Sequence, residues 1–202
     1  MAATLILVRH AAHVHLNKIL SGRTPGVPLS EAGRAQASWL ARHLAERRPT
    51  LVQTSPIERA EQTAIAIADA ARVGIEQADA LLEIDFGDWT GKAFHELEGD
   101  PEWDRWNAER ATARPPGGES MGEAQARIVA HLDAVASSRD GETVVLVSHA
   151  DMIRVAVAHV LGLDLNNYSR FDIDPASATT LLWGEWGAKL LRLNEGETVI
   201  GD

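Results

Sequence analysis

Two histidines stand directly after apolar runs that lie far apart in this sequence. Leu5-Ile-Leu-Val8 leads into Arg9-His10, and Thr143-Val-Val-Leu-Val147 leads into Ser148-His149. Both runs are short and rich in β-formers, as buried strands are. A third run, Leu51-Val-Gln-Thr54, leads into Ser55-Pro56, with Arg59 on the first turn of the helix expected next. Imidazole serves near neutral pH as a nucleophile or as a cationic hydrogen-bond donor. Arginine offers phosphate oxygens a rigid, permanently charged fork. Arg9, His10, Arg59 and His149 in one crevice would make a tetrahedral oxyanion site. A helix starting at Ala150 would add backbone N–H donors and a favourable dipole.

The elements needed to bring these residues together can be read along the chain. Ser30 is a plausible N-cap for a helix to about Arg47, stopped by Pro49. An alanine-rich helix runs from Ser55-Pro56 to about Ala71; the strand-end hydroxyls of Ser55 and Ser148 read as helix caps or as groups that support the site, with capping the better reading for Ser55. Ile75–Leu82 is weakly extended. Helices follow at about Ser120–Ser137 and Asp151–Leu161, and Ala178–Trp183 with Lys189–Leu193 alternates like an antiparallel hairpin. Strands alternating with helices imply an α/β fold: a three-layer sandwich with a mainly parallel central sheet flanked by helices, and an antiparallel edge strand. Ligands in such sheets lie beyond the carboxyl ends of the strands, where the two histidines fall. The 202 residues suit one domain, with a lid-like irregular segment at about 84–118. Within that segment Trp89 reads as packing, and Trp103 and Trp106 as either a lid or a satellite core.

Composition narrows the chemistry. The chain has no cysteine, which removes disulfide scaffolds, zinc ribbons and thiol nucleophiles. Its 19 basic and 29 acidic residues give a formal net charge of -10. That argues against a nonspecific nucleic-acid binder and against adsorption to an anionic membrane. No apolar run approaches the ~20 residues of a membrane span, and residues 1–8 do not read as a signal peptide. A cytoplasmic location is the expectation. His10, His13 and His15 read as a histidine-rich loop beside an anion pocket rather than as metal ligands, so neither metal nor cofactor is expected. His43, His131 and His159 fall in helices and read as surface or satisfied core groups. No Gly-x-Ser-x-Gly elbow, phosphate loop or dinucleotide fingerprint is present.

Six blocks in order make the sequence resemble the histidine phosphatase, or phosphoglycerate mutase-like, family. They are Leu7-Val-Arg-His10, Pro28-Leu-Ser-Glu-Ala-Gly-Arg-Ala-Gln-Ala37, Thr54-Ser-Pro-Ile-Glu-Arg-Ala-Glu-Gln-Thr-Ala64, Glu83-Ile-Asp-Phe-Gly-Asp-Trp-Thr-Gly91, Gly117-Gly-Glu-Ser120 and Val147-Ser-His-Ala-Asp-Met-Ile-Arg154. The resemblance implies phosphoryl transfer in two steps through a phosphohistidine. His10 matches the nucleophile. Arg9, Arg59 and His149 match the groups that hold the phosphoryl oxygens and stabilise developing charge. Glu83 matches the acid that protonates the leaving oxygen and then the base that activates water. Asp85 and Asp88 are nearby competitors for that role, and only the motif match favours Glu83.

The chain departs from the family pattern after His10. The usual glycine, acidic residue and threonine are Ala11, Ala12 and His13. Asn17, a candidate phosphate contact, falls one residue later than the commonest spacing. Ala150 replaces a glycine but still supplies its N–H. Arg23 is read either as a substrate contact or as a solvated loop cation. The expected activity is a metal-independent phosphomonoesterase acting on a small phosphorylated substrate. The alternatives are a cofactor-dependent phosphoglycerate mutase and a non-catalytic phospho-ligand-binding module. The acidic stretch 83–88 stands where a mutase would carry a basic patch. The C-terminal edge strand could pair two subunits in a homodimer.

Overall fold

The computed structural model describes residues 2–197; residue 1 and residues 198–202, the ends of the expected 1–202 unit, lie outside it. Six strands form one sheet. They are β1 (Ala2–Arg9), β2 (Leu51–Thr54), β3 (Ile75–Gln77), β4 (Thr143–Ser148), β5 (Ala178–Gly184) and β6 (Gly187–Glu195), in the spatial order β3-β2-β4-β1-β5-β6. The first four of that order pair in parallel. β5 runs antiparallel to β1, and β6 antiparallel to β5. The expected hairpin is therefore present, and it extends the sheet by two strands.

Alternation along the central strands assigns the two helical layers. Leu5 and Leu7 of β1, with Val144 and Leu146 of β4, join a core that includes residues of α5 (Met121–Ser138) and α6 (Ala150–Leu161). Ile6, Val8, Val145 and Val147 point the other way, into a core with α1 (Glu31–Ala45) and α2 (Glu58–Ala71). A strand with apolar residues on both faces can only sit inside such a sandwich.

Helix boundaries follow local chemistry. Ser30 caps α1 by accepting from the Gly33 N–H at 3.0 Å. Ser120 and Glu123 form a reciprocal capping box on α5. α6 ends at Gly162, which takes the left-handed conformation. α2 departs from expectation: its N-cap is Ile57, without a side-chain cap on the helix's first turn, so Pro56 precedes the helix and the backbone N–H that Ser55 Oγ accepts is that of Ile57 itself, at 3.4 Å.

The segment 84–118 is less irregular than its glycine and proline content suggests. It contains α3 (Phe94–Leu97) and α4 (Pro101–Ala108), the latter capped by Asp100. Trp89 and Trp106 are fully buried, with ring centroids 6.2 Å apart, and Trp103 meets Trp89 edge-on at 5.3 Å. Both buried indoles belong to the same core as Leu5 and Leu146. The stretch Ile75–Leu82 is extended only over three residues before a short 3-10 turn at Asp79–Leu81.

Candidate active site

The parallel register decides which side chains meet. Arg9 pairs with Ser148 across β1 and β4, and Thr54 pairs with Val147 across β2 and β4. His10, His149 and Ser55 therefore leave adjacent strand ends side by side. The imidazole centroids of His10 and His149 lie 5.0 Å apart, the order of the spacing between neighbouring strands.

His10 is held in one tautomer by its own neighbourhood. Its Nδ1 donates to the Ala11 carbonyl at 2.8 Å, and its Nε2 accepts from Arg59 Nε at 3.1 Å. Nε2 therefore carries the ring's lone pair, which accepts the Arg59 N–H. Burial, together with the positive charges of Arg59 and Arg9, holds the ring well below the ordinary histidine range, so the imidazole is neutral at pH 7. His149 is fully buried and depressed in the same way, first by burial and then by Arg59 and His10. Its Nε2 donates to Ser55 Oγ at 2.9 Å and its Nδ1 faces Arg59 Nη2 at 3.4 Å. Ser55 Oγ thus meets His149 at 2.9 Å while accepting a longer bond, 3.4 Å, from the Ile57 N–H, and it caps no N–H inside α2.

The loop that carries His10 is gripped from α1 and α2. The Ala12 carbonyl accepts from the N–H and the hydroxyl of Ser30, and the Ala12 N–H donates to Gln36 Oε1. Thr63 Oγ1 accepts the Ala11 N–H while donating to the Arg59 carbonyl. Gly33 is required because any Cβ there would lie 1.8 Å from the Ala12 carbonyl oxygen. The motifs around Ser30 and Arg59 are therefore the supports of the loop that follows the nucleophile candidate.

Above His10 lies a cavity of about 160 Å³, lined among others by Arg9, His10, His13, Asn17, Arg59, Glu83, Ala150 and Asp151. Leu16, Ile19, Leu20, Phe86 and Phe94 supply its apolar wall. Larger surface grooves exist: one beside Trp39 and Glu195 carries no histidine or arginine, and another brings Arg23, Arg114 and Arg127 together among acidic residues, with no histidine. Two guanidinium atoms in the site, Arg59 Nη1 and Arg9 Nε, are buried without a hydrogen-bond partner among the described residues. Other nitrogens of the two groups are anchored: Arg59 Nη2 to the Gly22 carbonyl and Arg9 Nη1 to the Ile173 carbonyl. Buried unpaired donors are costly unless something completes them, and an anion would. α6 begins at Ala150 with no side chain capping its first turn, leaving amides directed at the same place.

Of the three acids between 83 and 88, only Glu83 lines the cavity. Asp85 turns instead toward the Gly87 N–H and Arg23. Burial and the nearby Asp151 push the Glu83 carboxyl up to about 8, against the lowering effects of the Ile84 N–H, Arg59 and Arg9. The group is therefore protonated at neutral pH and able to donate.

Placement of the remaining candidates is mixed. Asn17 reaches the cavity wall through a left-handed backbone (φ 60°). Neither Arg23 nor the fully buried His149 is among the residues that line the cavity; Arg23 donates to the Glu83 carbonyl at 2.7 Å and pairs with Asp85 and Glu119. His13, with no role assigned from sequence, lies edge-on to His10 at 5.3 Å, and burial with Arg59 and Arg9 lowers it to about 4. Among the described residues no three histidine or acidic side chains converge as a metal site. Asp151, to which the sequence gives no role, also lines the cavity; its one available signal is position, just beyond a strand end. Outside the site, His131 bonds Gln53, while His43 and His159 stack on Trp39 and Trp183.

Known proteins share both the sequence and this architecture. Phosphoserine phosphatase 1 of Hydrogenobacter thermophilus is 35% identical over 195 residues, covering 94% of this chain and 91% of that protein. Glucosyl-3-phosphoglycerate phosphatase of Mycobacterium tuberculosis is 31% identical over 196 residues, covering 92% and 87%. The solved native structure of the mycobacterial glucosyl-3-phosphoglycerate phosphatase superposes with a TM-score of 0.84 at 28% identity, covering 97% of this chain and all of that one. The profile of the histidine phosphatase superfamily (branch 1) matches residues 5–196. With its strand ends, its motifs and its relatives in agreement, this chain belongs to the histidine phosphatase superfamily.

Proposed function

We propose that the chain is a metal-independent phosphomonoesterase that acts on a small phosphorylated metabolite through a phosphohistidine at His10. In the first step His10 Nε2 attacks phosphorus in line as the ester P–O bond breaks. Glu83 gives its proton to the departing oxygen. In the second step the Glu83 carboxylate takes a proton from water, which attacks phosphorus and breaks the P–N bond, restoring His10 and releasing phosphate. Arg9, Arg59, His149, Asn17 and the Ala150 N–H hold the phosphoryl oxygens through both steps.

The observation that carries this reading is the pairing of an unprotonated His10 Nε2 with a protonated Glu83 in one cavity. Two titratable groups pushed in opposite directions supply the nucleophile and the acid at the same pH. A bound dianion would draw the depressed pKa of His149 back up, adding positive charge beside the phosphoryl group. The cavity volume and its apolar wall favour a small leaving group. Phosphatase names among the relatives support hydrolysis over mutase chemistry. Zero cysteine and the absence, among the described residues, of a helix fit to cross a membrane support a cytoplasmic location. We take the chain as one domain, and β6, an edge strand with Leu191 exposed, as a surface on which two copies could pair.

Rapid quench with a labelled phosphate ester tests the mechanism. The expected product is an acid-labile, base-stable phosphoenzyme that His10→Ala abolishes. A trapped phosphoserine, strict dependence on a divalent metal, or isomerisation of phosphoglycerate without phosphate release would refute it.

A further inference from the structure

The Gly117-Gly-Glu-Ser120 block lies outside the cavity, and nothing in the mechanism above uses it. Its structural position is nevertheless specific. The turn at residues 115–119 presses against the turn at residues 85–88: the Glu119 N–H donates to the Asp85 carbonyl at 2.8 Å, and the Asp88 N–H to the Pro116 carbonyl at 2.9 Å. The contact is closer than side chains permit. A Cβ on Gly118 would lie 2.3 Å from the Asp85 carbonyl oxygen, and one on Gly87 would lie 2.0 Å from the Pro116 carbonyl oxygen.

This approach delivers the Glu119 carboxylate to two arginines. Arg127 engages it as a two-pronged fork, Nε to Oε1 at 2.9 Å and Nη2 to Oε2 at 2.8 Å. Arg23 Nη2 meets Oε2 at 3.1 Å. The same two arginines then reach the main chain on the approach to Glu83. Arg127 Nη1 donates to the Ala80 and Leu82 carbonyls at 2.7 and 3.0 Å, and Arg23 Nε donates to the Glu83 carbonyl at 2.7 Å. On the far side Glu119 Oε2 accepts the Asp85 N–H at 3.3 Å.

A proton donor poses a physical difficulty that this arrangement solves. A buried carboxyl can be fixed firmly by an ion pair, but the ion pair would lower its pKa and cost it the proton. Among the described residues, the hydrogen bond given to the Glu83 carboxyl comes from the Ile84 N–H, at 3.0 Å. We propose that Glu119, Arg127 and Arg23 are positioning residues for Glu83, aiming its carboxyl by fixing the backbone on both sides of it while leaving its acidity alone. The cluster is partly buried, with side-chain exposures of 15% for Glu119, 23% for Arg127 and 31% for Arg23, so its forks are shielded enough to hold geometry. This inference rests on the reading of Glu83 as the acid.

The test compares single-turnover phosphorylation of the enzyme by an alkyl phosphate and by 2,4-dinitrophenyl phosphate, in Glu119→Gln, Arg23→Gln and Glu83→Gln. The dinitrophenolate leaves without a proton, so only the alkyl ester reports on the acid. Glu83→Gln should slow the alkyl ester by about 100-fold or more and the aryl ester far less. Misaiming the acid should cost Glu119→Gln and Arg23→Gln roughly 10-fold on the alkyl ester, with the aryl rate and alkyl-ester binding within about 2-fold. The basic limb of the alkyl pH profile should stay in place. Arg23→Gln keeps the test open if Glu119→Gln does not fold. Equal losses on both esters, wild-type rates on the alkyl ester, or a displaced basic limb would overturn the positioning role. Glu83→Gln without leaving-group dependence would overturn the acid assignment itself.

Discussion

A carboxyl that stays protonated to about pH 8 must leave a mark on stability as well as on rate. Glu83 in the unfolded chain titrates near the ordinary glutamate value of about 4.3, whereas burial and Asp151 push it up to about 8 in the fold. Between those values the folded protein binds a proton that the unfolded chain has lost. Its contribution is fully present below the unfolded pKa and is lost as pH rises through the folded one. The limiting slope is about 1.4 kcal/mol per pH unit, and integration from pH 5 to pH 8 gives a loss of roughly 3 kcal/mol. Glu83→Gln keeps the shape and a hydrogen-bonding end but cannot ionise. Urea unfolding of both proteins at pH 5, 6, 7 and 8 isolates the effect, because every other titrating group is common to the two. The variant should gain on the wild type by roughly 3 kcal/mol across that range, seen thermally as a relative rise of about 6–12 °C. Parallel curves would mean that the native carboxyl is already ionised, and the proton-donor assignment would fall with it.

Ser55→Ala should leave the buried His149 Nε2–H unpaired and cost about 1–3 kcal/mol of stability by chemical denaturation. It should also weaken inhibition by vanadate, since the imidazole loses its orienting partner; unchanged inhibition would remove Ser55 from the site. Trp106→Ala, which empties a fully buried position in the core behind the cavity, should destabilise by about 3–5 kcal/mol. A thermal melt displaced by only a degree or two would show that α4 is a detachable lid rather than part of the core.

The histidine pair of the candidate site is legible because both members follow strands whose sequences can be recognised. His10 and His149 announce themselves as polar residues at the ends of apolar runs, and parallel pairing brings such ends together. Ser55 obeyed the same logic but was given to a helix cap, because Ser-Pro is so common a helix start; the cap actually falls at Ile57. Arg23 could not be placed from sequence. A loop cation bends toward whichever anion and carbonyls the fold delivers, and here the anion is Glu119, nearly a hundred residues on, and the carbonyl is that of Glu83. The segment 84–118 misled for a related reason. Its glycines and prolines mark turns correctly, but a four-residue and an eight-residue helix are stabilised by docking Leu97 and Trp106 into the core rather than by local propensity.

The burial of Trp89 and Trp106 also bears on how such an enzyme could change what it cleaves. The wall that faces the leaving group grows out of the hydrophobic core, so exchanging the whole segment between relatives would trade away folding free energy. Residues such as Leu16, Ile19 and Phe94 stand on the cavity side with less of the core resting on them: Leu16 and Ile19 are only partly buried, and Phe94 is 37% exposed. New specificities should therefore arise by single substitutions at that rim, with the phosphate end and the frame behind it passing unchanged from one substrate to the next.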